Sequence, residues 1–146
     1  MTENTTPRGI RNNNPLNLRK SNNNWRGKKW PGDDPAFEQF TSMVLGIRAA
    51  FINARTIIRR NPGCTITRLI TIWAPASDGN NPGSYIQAVC AKTGMQPDTL
   101  LSVGSANKLV PLLWAMAFVE CGQTLELSLF WRAWKLIDIN REVVSS

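Results

Sequence analysis

The sequence predicts a mainly α-helical fold with an irregular or short-stranded N-terminal layer, on three observations. Apolar residues from Thr41 onward recur at steps of three and four, and cap and stop signals punctuate them at helix-length intervals. The first forty positions, by contrast, are rich in asparagine and proline and show no such step. At 146 residues the chain has room for one core and not two, so residues 1–146 are read as a single domain, with 1–7 as a flexible N-terminal tail.

Residues 4–35 hold eight asparagines and four prolines, the signature of turns, while Leu16, Leu18, Trp25 and Trp30 offer apolar groups to fasten this layer to a helical body. A first helix is expected from Thr41 to Arg60. Val44, Ile47, Phe51, Ala54 and Ile58 share one face, Thr41 or Ser42 caps it, and Asn61-Pro62-Gly63 stops it. Thr65 opens a second helix through Ile66, Leu69, Ile70 and Trp73, which must end before Pro75. After the loop 77–83, a third helix from about Gly83 to Thr93 closes at Gly94, and a short turn begins at Pro97-Asp98. From Ser105 to Cys121 nearly every residue is apolar, which predicts a helix covered on most sides. A last helix from about Leu125 to Asn140 turns Leu129, Phe130, Ala133, Trp134 and Ile137 inward, and Arg132, Lys135 and Arg141 outward.

The chain has no histidine. That removes the usual base of serine and cysteine hydrolases and the usual ligand of catalytic zinc. Acid–base work falls to the ten carboxylates, to Lys or Cys, or to the single tyrosine, Tyr85. No metal site and no cofactor are expected. Cys64, Cys90 and Cys121 are widely spaced and odd in number, so they are read as reduced, core-facing thiols. The polar N-terminus has no signal-peptide stretch, which predicts synthesis in a cytoplasm. A net charge of +7 favours polyanions, among them nucleic acid, anionic lipid and bacterial cell wall.

Glu120 stands out because it ends the most hydrophobic helix. Burial and the negative end of the helix dipole both favour its protonated form, as a general acid for glycosidic cleavage requires. The competing reading is a glutamate that emerges into solvent or pairs with one of the seventeen Lys and Arg side chains. Asp33, Asp34 and Asp78 read as turn formers. In residues 8–20 four basic side chains accompany four asparagines. Such amides suit sugar hydroxyls and acetamido groups, and Trp25, Trp30 and Trp73 offer faces for pyranose stacking, although the same asparagines also cap turns. Basic and aromatic residues also suit nucleic acid, but they are dispersed and follow no recognition-helix, RNP or zinc-finger pattern, so no nucleic-acid partner is expected. The stretch Phe130–Lys135 suits either a membrane surface or a closing helix, and stable membrane insertion is not expected.

The string Arg8-Gly9-Ile10-Arg11-Asn12-Asn13-Asn14-Pro15 with Asn17, followed by Trp25-x-Gly27, Phe37-x-x-Phe40 and Gly46-Ile47-Arg48-Ala49-Ala50, resembles a family of phage and prophage virion-associated lysins in the lysozyme-like superfamily. Thr65-Ile66, Trp73-Ala74-Pro75, Asp78-Gly79-Asn80-Asn81, Tyr85-Ile86 and Glu120-x-Gly122 extend the resemblance to residue 122. It implies a lysozyme-like domain that cleaves bacterial peptidoglycan as a muramidase or lytic transglycosylase, with Glu120 as catalytic acid and Glu38 as runner-up. Asn12, Asn13, Asn14, Trp25, Asn80 and Tyr85 would then bind the glycan. Cys121-Gly122 stands where such enzymes commonly carry Ser-Gly, and the Asn-rich segment precedes the glutamate helix instead of following it, an order that circular permutation would reconcile. The second acid that hydrolysis generally recruits would come from Asp33, Asp34 or Glu38. The expected partners are peptidoglycan strands and other virion or secretion-system components, with action at the wall or periplasm after lysis, virion entry or secretion. A non-catalytic wall-binding or virion structural protein is the alternative.

Overall fold

A computed structural model describes residues 6–145, with side chains described through Ile137. Of the expected tail, residues 1–5 lie outside the described residues. Thr6 and Pro7 are held at Arg11, whose Nε donates to the Thr6 carbonyl and whose amide donates to the Pro7 carbonyl.

The fold is mainly α-helical. Its elements are α1 (Arg8–Arg11), α2 (Met43–Arg60), α3 (Ile66–Trp73), a 3-10 turn (Ala76–Asp78), α4 (Pro82–Thr93), α5 (Ala106–Cys121) and α6 (Leu127–Ser145). Ser42 caps α2 by accepting the Leu45 amide, Thr65 caps α3 through the Arg68 amide, and Asn81 caps α4 through the Ser84 amide. Gly94 and Gly122 end α4 and α5 in the left-handed conformation that glycine adopts without steric cost. Ser105 precedes α5 but makes no side-chain cap, since its hydroxyl pairs with that of Ser102. The last helix starts two residues later than expected because Trp114 draws the Leu125 carbonyl inward, at 2.7 Å from its Nε1.

Helix α5 is the centre of the bundle, packed against α2, α4, α6 and the α1 turn. Its Leu109, Leu112, Leu113 and Met116 are fully buried, as the apolar run predicts. Across the core, Phe51 of α2 meets Phe130 and Trp134 of α6 edge to face, with ring centroids 6.5 and 5.3 Å apart. The expected inward residues of α6 are buried or half-buried and Arg132 and Lys135 are exposed, while the side chain of Arg141 lies outside the description. The three thiols are free, Cys64 and Cys121 buried and Cys90 half-buried.

The N-terminal layer is held by single bridges, Arg19 to Phe37 and Lys28 to Phe40, both antiparallel. It contains one helical turn, α1, that its composition did not announce. Leu18, Phe40 and Ala49 form a small second core with Trp25 and Trp73 against it, and Leu16 enters the main core. Trp30 does not fasten the layer as expected: it is 77% exposed, in the loop before Pro31, with the Lys28 ammonium over its ring. The layer approaches α2 so closely that a Cβ on Gly46 would collide with the Asn13 carbonyl.

Candidate functional site

The asparagine string explains the layer's shape before it explains any ligand. Asn13 and Asn17 have φ of 52° and 54°, the left-handed region that asparagine tolerates better than most side chains. Asn14 is fully buried: its amide donates to the carbonyls of Leu18 and Glu38, and its Oδ1 accepts the Leu18 amide. Asn13 donates to the Phe40 carbonyl. Asn12 donates to Asp34 and accepts from Gln39. These three of the six residues expected to touch glycan therefore stitch the layer together, each spending its amide on protein groups. Asn17, whose side chain the sequence reading left unassigned, turns the other way.

Asn17 Nδ2 donates to Glu120 Oε1 at 2.9 Å, and the Tyr85 hydroxyl donates to Oε2 at the same distance. The half-buried carboxyl thus has both oxygens occupied by neutral donors at the C-terminal end of α5. Burial pushes the Glu120 carboxyl above its ordinary range; the Asn17 and Tyr85 hydrogen bonds and the Arg19 charge pull the other way without cancelling it. Tyr85 is itself held well above its ordinary range by burial and by Glu120, so it keeps its proton and remains a donor.

Glu120 opens into a cleft of about 360 Å³. Asn17, Arg19 and Phe37 of the N-terminal layer line it together with Trp73, at the end of α3, and Asp78 and Asn80, between α3 and α4. A second cleft of about 370 Å³ adjoins it, sharing Asn17, Arg19 and Trp73, and adds Trp25, Asn53 and Ile72. Together they make a groove with amides along its length and indole groups on its wall, the residue mixture that suits a carbohydrate chain. Trp73 is fixed there by its Nε1 donating to the Leu16 carbonyl, and Asn80 by donating to the Pro75 carbonyl.

Of the residues expected at the site, Glu120, Tyr85, Asn80 and Trp25 thus lie on the groove, while Asn12, Asn13 and Asn14 do not meet Glu120. Glu38, the runner-up, lines neither cleft. It is 1% exposed, with Oε1 3.3 Å from the Lys28 ammonium and Oε2 accepting from the Ser21 hydroxyl. Asp34 is not a simple turn former: Arg8 grips it in two hydrogen bonds of 2.7 Å, Asn12 adds another, and the amides of Ala36 and Phe37 converge on it. That set, the Arg8 bonds foremost, holds its carboxyl far below the usual range. Asp33 and Asp34 line a separate polar pocket with Arg8, Arg11 and Lys29. The acid that does share the cleft with Glu120 is Asp78, which ends the exposed 3-10 turn.

Asn17, Arg19, Phe37, Asn53, Ile72 and Asp78 are among the groove residues that the sequence alone does not assign to a site. Asn17 and Arg19 carried a signal, their place in the basic, Asn-rich string 8–20, and Phe37 and Asp78 stood within motifs of the resemblance. Among the described residues no three His, Cys, Asp or Glu side chains are grouped to hold a metal ion, and no helix is long and apolar enough to cross a membrane.

No protein-family model matches the chain. Over 97 residues it is 38% identical to Protein P5 of Pseudoalteromonas phage PM2, an alignment that covers 63% of this chain and 59% of the phage protein. The chain therefore spans about three-fifths of the length of that relative.

Proposed function

We propose that the protein cleaves the glycosidic bond between N-acetylmuramic acid and N-acetylglucosamine in bacterial peptidoglycan, as a lysozyme-like lytic transglycosylase or muramidase. The observation that carries the reading is a half-buried carboxyl, clasped by two neutral donors and raised toward its protonated form, at the meeting point of two polar, indole-lined clefts. Glu120 donates its proton to the glycosidic oxygen as the bond to C1 breaks. The resulting carboxylate then takes the proton of the attacking hydroxyl. If that hydroxyl is the muramoyl 6-OH, an anhydro sugar forms and no second acid is needed; if it is water, a reducing end forms. Asp33, Asp34 and Glu38 stand outside the groove, which favours the one-acid route; Asp78, on the same cleft, is the carboxylate that the hydrolytic route would recruit. The similarity to a phage protein fits delivery to the wall by a virion or at lysis, and the +7 charge favours retention on an anionic wall.

The test is incubation of the protein and its Glu120→Gln variant with purified Gram-negative peptidoglycan, with released muropeptides identified by mass spectrometry. Anhydro-muropeptides from the wild type alone are the expected result, and reducing-end products would make it a muramidase. Equal release by both proteins would remove Glu120 from the mechanism. Release by neither would leave the non-catalytic wall-binding or virion structural role.

A further inference from the structure

Arg19 occupies a position that the cleavage chemistry does not use. It stands on the wall common to both clefts, and in the second cleft it is the one charged lining residue. Its guanidinium lies over the Phe37 ring, 5.1 Å from the centroid, which fixes its direction without neutralising it. Among the described residues no carboxylate is in ion-pair contact with Arg19, whereas Arg8 and Lys28 nearby each have one. Arg19 and Glu120 line the same cleft, so a glycan seated against Glu120 brings its neighbouring sugars within that cleft's reach of Arg19. Asp78, on the rim of the first cleft, repels an anion at that end and favours one toward the second. A chain of N-acetylglucosamine offers a guanidinium only neutral oxygen acceptors, but a muramyl sugar adds a carboxylate, either on its lactyl ether where the strand is denuded or on its stem peptide.

We propose that Arg19 is a specificity residue that binds the carboxylate of the muramyl unit next to the scissile bond, through a charge-assisted and geometrically forked contact. The inference rests on the glycan-binding reading of the groove and tells the protein to prefer acidic glycan over neutral glycan. It makes no demand on turnover. The experiment is therefore calorimetric binding in the Glu120→Gln background. Its probes are a GlcNAc–MurNAc tetrasaccharide with free lactyl carboxylates, its lactyl carboxamide, a stem-peptide-bearing tetrasaccharide, and chitotetraose. The expected result is tighter binding of a carboxylate-bearing probe than of the carboxamide and chitotetraose. Arg19→Gln should reduce that preference about tenfold, the size of one charge-assisted contact, and Arg19→Lys should restore part of it.

If the free-lactyl and peptide-bearing probes differ, the one that loses its advantage in Arg19→Gln identifies which carboxylate is bound. An undiminished preference in Arg19→Gln would overturn the proposal, as would equal binding of all four probes or binding of none. A wild type that releases no muropeptide yet shows the Arg19-dependent preference would instead refute the cleavage reading and leave this one standing.

Discussion

Glu38, in the N-terminal layer, faces the Lys28 ammonium and the Ser21 hydroxyl; Glu120, at the end of α5, faces the Asn17 amide and the Tyr85 hydroxyl. Both are withdrawn from water, but the first is sealed with a cation and the second is held by neutral groups beside an open groove. Lys28 also donates to the Ser21 and Asn23 carbonyls, so Glu38 is part of a closed network that fixes the loop. The surroundings decide what a carboxyl withdrawn from water can do. Matched with charge and enclosed, it is a pin; matched with dipoles and left open on one side, it can exchange a proton with a ligand.

The largest effect expected from breaking this comparison is on the Glu120 side. Glu120→Gln should lower the rate of muropeptide release by a factor of about 10²–10⁴, the usual contribution of a general acid. It should not lower stability at neutral pH. Because burial raises the folded-state value above the unfolded one, the wild type loses stability as pH rises from about 4.5 through the folded value. The neutral variant escapes that loss. Thermal melts should therefore place the variant at or above the wild type at pH 7 and bring the two together as pH falls below about 4.5.

Glu38→Gln should behave in the opposite way. Removing one member of a buried pair leaves Lys28 uncompensated, and urea denaturation should show a loss of about 3 kcal/mol. Activity per folded molecule should remain at the wild-type level, since Glu38 lines neither cleft. A Glu38 variant that is fully stable but inactive would exchange the roles of the two acids.

A smaller change sharpens the account. Tyr85→Phe removes one donor from Glu120 and should cost about tenfold in rate, near the worth of one hydrogen bond to an ionisable group. Because that bond holds the Glu120 value down against burial, its loss should raise it further. The alkaline limb of the pH–rate profile should then move to higher pH, a shift that a purely structural role for Tyr85 would not produce.

The helices were legible because their signals are local. Thr65 before Ile66 and glycines 94 and 122 act within one turn, and the structure places those boundaries within a residue or two of the expected ones, while α4 starts one residue early because Asn81, expected in the loop, caps it. Glu120 was legible for the same reason, as an acid at the end of an apolar run, and burial acts on it in the direction that this position implies. The asparagines were not, because one residue type serves two purposes three positions apart. Asn14 turns inward to bond backbone, whereas Asn17, in the left-handed region, turns toward an acid 103 positions further along the chain. No local pattern distinguishes them; the path of the loop does. Arg19 and Asp78 were hidden likewise, since their meaning comes from the walls they share after folding. The N-terminal layer's role for Trp30 failed because an apolar residue in a Pro-Gly loop need not find the core.

Whether Glu120 is held protonated is decided by a titration of its carboxyl by carbon NMR in protein labelled at glutamate side chains, assigned by comparison with Glu120→Gln. The account predicts a midpoint above the ordinary 4.5, rising further in Tyr85→Phe. A Glu120 midpoint at or below 4.5 would mean that the carboxyl is charged and paired like a structural acid, and would contradict the role proposed for it as a proton donor.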